Sequence, residues 1–349
     1  MPKARNIISM IAVAAALATP AFADETADFS NVKNLAIEDF IGTVEIKTSR
    51  GKDARAIMTD GEDASYPVRM NSADGVLTIK SDEDPDKARW WDDVEWRRHD
   101  EKAFARFLAT YPTLVISVPQ GTNVSFDSAV TLLKAGDIGG NLALKKGHVE
   151  GEVGNVQTAD INIHGSADLK IGAVADALDV SIHGSGDVIS GSAGLLNVSI
   201  HGSGDVRVGD VDGAAAVQIN GSGDVNIGNV GGATDFDVHG SGDIRTGAVK
   251  SGADISVHGS GDVSLASVAG KTSVAIHGSG DTEINGGRSE DLVVRVRGSG
   301  DFRHAGLATN PNVSVNGSGD VVISRYEGSI HTSGDGDIRI AGRYYGDED

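Results

Sequence analysis

Val198-Ser199-Ile200-His201-Gly202-Ser203-Gly204-Asp205-Val206-Arg207-Val208-Gly209 is one copy of a phrase that recurs from Asp160 to Ile340. Its tetrapeptide Gly-Ser-Gly-Asp ends at Asp187, Asp205, Asp224, Asp243, Asp262, Asp281, Asp301 and Asp320, with degenerate copies ending at Asp168 and Asp337. Successive intact copies lie 18, 19, 19, 19, 19, 20 and 19 residues apart. A fixed period of this size predicts a solenoid. One coil cannot bury its apolar residues alone, and stacking on the next coil hides them.

Within the phrase, Val198 and Ile200 alternate with Ser199 and His201. A period of two turns one pair inward and the other outward. The inward slots hold Val180/Ile182, Val217/Ile219, Phe236/Val238, Ile255/Val257, Val274/Ile276, Val294/Val296 and Val313/Val315 in other copies. A second inward pair follows the Asp, as in Val206/Val208, Val225/Ile227, Val263/Leu265 and Val321/Ile323. A fifth apolar residue comes three later: Val211, Val230, Val249, Val268, Leu307 and Tyr326. Gly-Ser-Gly reads as the corner, where glycine takes positive φ and the Ser or Asp side chain bonds amides of its own turn. Neighbouring coils should pair as parallel strands, and parallel crossovers are right-handed. The expected fold is all-β: a single-stranded right-handed parallel β-helix of about ten ~19-residue turns. A β-rich N-terminal region with a short capping helix precedes it.

Residues 1–23 read as a secretory signal, with Lys3 and Arg5 before the apolar run Ile7 to Ala18 and a small-x-small site at Ala21-Phe22-Ala23. Residues 24–123 form the β-rich region, with strands at Val32 to Ile37, Thr43 to Lys47, Ala54 to Met58, Val76 to Lys80 and Thr113 to Val118. Arg50-Gly51 and Asp74-Gly75 are turn signals. An insertion at 81–111 holds an acidic loop, all three tryptophans, and Glu101 to Ala109 with Phe104, Phe107 and Leu108 at helical spacing. This helix is expected to cap an exposed sheet end. The solenoid occupies 124–341, and 342–349 is an acidic tail.

The formal charge of the 349-residue chain is −20, and removing residues 1–23 with Lys3 and Arg5 makes it −22. The acidic balance counts against nucleic acid and anionic lipid, which need basic patches, and leaves cations, basic proteins and neutral glycans as partners. There is no cysteine, hence no disulfide, and no apolar run beyond the signal is long enough to span a membrane. The sequence names no cofactor and leaves the oligomeric state open.

Three sets of residues are candidates for binding. His183, His201, His239, His258 and His277 share one outward slot, which Asn220 and Arg297 fill elsewhere. They read as a stacked polar ladder or, alternatively, as ligands for Zn²⁺ or Cu²⁺. Asp187, Asp205, Asp224, Asp243, Asp262 and Asp281 form a second row. They either bond the backbone or take up cations; the direct Gly-Asp step and long period fit poorly with calcium-binding nonapeptides. The acidic background and a carboxylate four residues on, such as Asp262 beside His258, should raise the histidine pKa values. Trp90, Trp91 and Trp96 either pack beneath the helix or contact a partner. A uniform Asp slot reads as structure rather than as an assembled acid–base pair, so an enzyme is not expected.

Phe29-Ser30-Asn31-Val32, Val44-Glu45-Ile46, Leu77-Thr78-Ile79 and Ile116-Ser117-Val118-Pro119, leading into serial Gly-Ser-Gly-Asp-Val copies, resemble the bacterial GIN-domain family, exported proteins also described as auto-transporter adhesin heads. The resemblance spans nearly all of the chain after the signal. It implies a right-handed β-helix outside the inner membrane, in the periplasm or at the cell surface. The function expected is a non-enzymatic, adhesin-like scaffold for an envelope protein or glycan. The alternatives are a periplasmic cation-binding or pH-sensing module built on the His and Asp rows, and a glycan-active β-helix enzyme.

Overall fold

The computed structural model describes residues 25–61, 67–82, 85 and 101–345, with the backbone alone at 101–103. The signal segment, Trp90, Trp91, Trp96 and the terminal residues 346–349 lie outside the described residues. The chain forms two compact units, Met1–Val174 and Ala175–Asp349. Both are built of parallel strands, and the solenoid is right-handed.

In the second unit each repeat is one rung. Ala215–Ile219 and Val225–Ile227 are strands either side of a corner, and Val230 makes a bridge on a third wall. Parallel register stacks like on like: Val198, Val217, Phe236 and Ile255 form one column, and Val206, Val225, Ile244 and Val263 another. All eight are buried. Each rung thus covers the apolar residues of the last, and burial of this kind contributes about 25 cal/mol per Å² of apolar surface.

The core is wider than five residues per rung. Leu196, Ala215, Thr234, Ala253 and Thr272 are buried and make a further column two residues ahead of the first pair. Ala and Thr hid it from a reading that sought apolar alternation. Leu307 and Tyr326 are not in the core. The register shifts between His304 and Leu307, so Ala308 is fully buried while Leu307 and Tyr326 stay partly exposed. The open edge of the last rung is met by Arg343–Tyr344, antiparallel to Ile338–Ile340.

The corner glycines do not take positive φ: Gly202, Gly204, Gly221, Gly223, Gly240 and Gly242 are all absent from that region. Close stacking demands them instead. A Cβ on Gly221 would stand 1.9 Å from the carbonyl oxygen of Gly202, and one on Gly223 2.0 Å from that of Gly204. The rungs approach so closely because corner amides bond across them, Ser222 N–H to Gly202 O at 2.9 Å and Ser241 N–H to Gly221 O at 3.0 Å.

The first unit has strands β1 (Glu25–Phe29), β2 (Asn34–Glu38), β3 (Ile41–Ser49), β4 (Ala54–Thr59), β5 (Val68–Ala73) and β6 (Val76–Ser81). Helix α1 (Glu101–Leu108) follows, then β7 (Thr113–Pro119), β8 (Asn123–Asp127), β9 (Ala129–Ala135), β10 (Leu142–Leu144), β11 (Gly147–Val153), β12 (Ala159–Ile163) and β13 (Leu169–Ile171). One wall runs β6-β2-β8-β10-β12 and another β7-β3-β9-β11-β13, all parallel. Antiparallel strands finish both: β5 on β6 through the Asp74-Gly75 turn, and β4 on β7 with β1 beyond it. Sequence patterning identified neither β1 nor β5.

These antiparallel strands, not the helix, close the walls. Helix α1 packs on β3 and β9, over the aligned row Ile41, Val130 and His148. Phe104 and Leu108 are buried there, and Phe104 meets the His148 ring edge-on at 4.7 Å. The expectation of an end cap is therefore corrected to a flank cover. Among the described residues no helix is long and apolar enough to cross a membrane.

Candidate functional site

The aspartate row is consumed by the fold. Asp224 Oδ1 accepts the N–H of Asp243 at 2.9 Å, and the same bond joins Asp187 to Asp205, Asp205 to Asp224, Asp243 to Asp262 and Asp262 to Asp281. Each carboxylate thus serves the next rung, not the amides of its own turn as expected from the local motif. Val225 N–H donates to Asp243 O at 2.8 Å across the same step. A second such row, not anticipated, runs through Asp210, whose Oδ1 accepts Asn229 N–H, and Asn229, whose Oδ1 accepts Ala248 N–H. A carboxylate oxygen occupied in this way is a poor general base or calcium ligand.

The histidines stack as the period predicts. His183 and His201 lie 4.9 Å apart between ring centres and 1° from parallel. His239 to His258 is 4.6 Å and His258 to His277 4.8 Å, each at 4°. Asn220 and Arg297 continue the row rather than breaking it. The Asn220 side-chain amide is 3.3 Å from His201 Nε2, and Arg297 Nη1 is 3.3 Å from His277 Nε2. Arginine only donates, so His277 Nε2 accepts and is unprotonated in that contact. Burial, with the neighbouring His258 and Arg297, holds the His277 pKa below the usual imidazole value. The expectation of a raised pKa is corrected at this position: burial of the ring, and after it the charges of His258 and Arg297, act against the imidazolium.

The expected His258–Asp262 pairing is likewise replaced. Asp262 turns to the Asp281 amide. The carboxylate near the rings is Asp237, whose Oδ1 lies 3.1 Å from His239 Nδ1 and 3.7 Å from His258 Nδ1. These three atoms all lie within 4.8 Å of one another. Sequence did carry the signal. The slot two before the histidine row reads Ser181, Ser199, Gln218, Asp237, Ser256, Ala275, so Asp237 is its one carboxylate.

On the wall after the corner, Arg207, Asn226 and Arg245 stand in register and line a shallow groove of about 430 Å³ together with Gly209 and Gly228. The arginines are held from one side by the aspartate row: Arg207 Nη2 donates to Asp205 Oδ2 at 3.4 Å and Arg245 Nη2 to Asp243 Oδ2 at 2.7 Å. Each such carboxylate thus gives one oxygen to an amide and the other to a guanidinium. This groove was missed because arginine in an outward slot looks like any solvated residue.

Also missed was His304, which occupies the inward column of Ile284 and Ile323 and is fully buried. Gly306 N–H donates to His304 Nδ1 at 2.8 Å, so the proton sits on Nε2, which donates to Ser289 Oγ at 2.6 Å. Burial first, then the charge of Arg325, pushes its pKa down to about 4. Ser289 is buried too, so this Ser–His pair has no route to substrate.

No curated protein matches the sequence. Among solved structures, a putative adhesin of Bacteroides fragilis is 13% identical with a TM-score of 0.32, the likeness covering 90% of this chain and 98% of that one. A putative adhesin of Parabacteroides distasonis is 13% identical with a TM-score of 0.27, covering 88% and 96%. A putative lipid binding protein of the same species is 12% identical with a TM-score of 0.21, covering 91% and 96%. The family model described as "Putative auto-transporter adhesin, head GIN domain" matches residues 40–248 and 248–343. That match takes in the parallel walls of both units apart from β2, and every intact Gly-Ser-Gly-Asp corner, and the chain belongs to this adhesin-head family.

Proposed function

We propose that the protein is a non-enzymatic, adhesin-like scaffold that holds an envelope or surface partner in the groove of Arg207, Asn226 and Arg245. Family membership supports an extracellular or envelope-associated place of work. The signal read at 1–23 supports export, to the periplasm or onward to the surface.

The observation that carries the reading is the groove itself. It sets two arginines and an amide in fixed register on a rigid wall of an otherwise acidic chain. Each guanidinium carries five donors, and the aspartate row engages only part of them. The remaining donors suit a carboxylate-bearing or hydroxyl-rich partner, such as an acidic glycan or an acidic stretch of an envelope protein. The aspartate row is tied into the backbone, which leaves the scaffold no poised acid–base pair there.

A glycan array and an overlay on envelope fractions test this, with Arg207→Ser/Arg245→Ser beside the parent. Binding that falls at least tenfold in the double variant, with the bound glycan recovered intact, is the expected result. Undiminished binding would remove the groove from the account, and released cleavage products would make the protein an enzyme.

A further inference from the structure

We propose that Asp237, His239 and His258 form a binding site for a divalent transition-metal ion, Zn²⁺ in the first instance. The site is separate from the arginine groove and does not depend on it.

Asp237 Oδ1 is shut off from solvent and accepts no hydrogen bond in the structure. His239 Nδ1 lies 3.1 Å from it and His258 Nδ1 3.7 Å. A desolvated carboxylate oxygen needs a cation or a donor beside it. Two imidazole nitrogens and one carboxylate are a borderline-soft set that suits Zn²⁺, Cu²⁺ or Ni²⁺ and discriminates against Ca²⁺ and Mg²⁺, which take oxygen. Ligands of a tetrahedral ion at about 2.0–2.1 Å stand roughly 3.3 Å apart. Both oxygen–nitrogen separations are within a few tenths of an ångström of that.

The nitrogen pair has to close further, because the rings stack parallel at 4.6 Å. Both rings are exposed and can tilt about χ2 without disturbing the core. The backbone beneath them is fixed, since Asp237 pairs with Ser256 and Val238 with Val257 in the parallel ladder. Three protein ligands leave a coordination position toward solvent, open to water or to a donor on a partner.

The chain supplies its own control. His183 and His201 stack almost identically, but Ser181 and Ser199 stand where Asp237 would be. A histidine ladder alone should therefore bind less well than a ladder with the aspartate.

The test is calorimetric titration of the untagged protein with Zn²⁺ at pH 7.5, backed by the Cu²⁺ electron paramagnetic resonance spectrum. The expected result is one ion bound per chain, with two nitrogen ligands. Asp237→Ser, which installs the residue of other rungs, should weaken binding at least tenfold. His258→Asn, which copies the native Asn220 of the same slot, should do the same. His183→Asn/His201→Asn should leave affinity unchanged, with circular dichroism verifying the fold of each variant. No stoichiometric binding by the parent would mean that His239 and Asp237 form a plain ion pair. Binding by Asp237→Ser as tight as the parent would mean adventitious histidine contact only. Either result overturns the proposal.

Discussion

Glycine serves different ends at three turns of the first unit and at the Gly-Ser-Gly-Asp corners of the second. In the first, Gly75, Gly121 and Gly139 have φ of 78°, 85° and 67°, which L side chains rarely adopt. Around Gly121 there is open space, with nothing within 4 Å of an added Cβ. In the second unit, the corner glycines have no such φ but no room either, because the carbonyl of the previous rung fills the place of a side chain. The first constraint is local to one residue. The second lies between rungs, so a violation is felt by the neighbour as well. A repeated residue in a sequence marks a constraint without saying which kind it is.

The comparison between local and inter-rung constraints breaks first at the core. Ile219 is fully buried between Ile200 and Val238, whereas Gln218 beside it is exposed. Ile219→Asp sets an unpaired carboxylate into a closed apolar column and should cost about 4 kcal/mol or more. Gln218→Asp sets a carboxylate one rung from Asp237 and should cost only about 1 kcal/mol. Thermal or urea melts of the two variants check this. Similar midpoints would mean that the inward and outward slots are misassigned.

The glycines themselves come next. Asn tolerates the left-handed region better than other residues. Gly121→Asn should therefore be cheaper than Gly121→Ala, since only φ matters there. Gly223→Asn should be as damaging as Gly223→Ala or worse, at about 3 kcal/mol, because both place a Cβ against Gly204 O. Ser222→Ala should cost little, as its hydroxyl only receives a 3.2 Å bond from Ser241. Rescue of Gly223 by Asn would show that backbone torsion, not rung spacing, governs the corner.

How far the sequence could be read follows the same division. The period, the parallel register, the inward pairs and the stacked histidines were all legible, because each is a nearest-neighbour rule repeated from rung to rung. Leu307 was misplaced because counting residues cannot see the register shift after His304. Strands β1 and β5 escaped because they lie outside the repeat and pair antiparallel. At the candidate site, the histidines were named but Asp237 was not. It is visible only when the column is compared across rungs, as the one carboxylate among Ser, Gln and Ala. The aspartate row was named, yet its partners were placed in the wrong turn, since a local Asx motif and an inter-rung bond leave the same sequence trace.

His304 sharpens the contrast between a repeat and its exception. Its column is otherwise apolar, Ser or Thr, and its folded pKa of about 4 lies below the unfolded imidazole value of about 6.5. A depressed pKa stabilises the fold above the unfolded value, and that contribution is lost as pH falls toward the folded one. The groups around the ring are Ser289, Gly306 N–H, the Phe302 ring and, as a charge, Arg325. None is an acid that could stabilise the imidazolium. Between pH 6.5 and 4 the parent should lose roughly 3 kcal/mol from this residue. His304→Asn keeps an acceptor for Gly306 N–H but cannot be protonated. Urea midpoints across that range should fall more steeply for the parent than for the variant. Parallel curves would assign the acid loss elsewhere.

The smallest expected effect tests the aspartate row, where the inter-rung rule is carried by a side chain. Asp224 Oδ1 accepts Asp243 N–H at 2.9 Å, while its other oxygen lies 3.9 Å from Arg245 Nη1. Asp224→Ala leaves that amide without its partner at a corner too tight for the chain to adjust, and should cost about 1 to 2 kcal/mol. Asp224→Asn preserves an acceptor in the same place. It forfeits a long ion pair of little value at the surface, and it relieves repulsion from Asp205 and Asp243 one rung away, worth on the order of 1 kcal/mol at high dielectric. Loss of the charge that strengthens the amide bond, together with the ion pair, nearly offsets that relief, so Asn should be close to neutral while Ala is not. If Asn proves as costly as Ala, the row depends on charge and not on the amide bond. The carboxylates would then be acting chiefly as counterions to the groove arginines, and the corner would be held by its backbone hydrogen bonds alone.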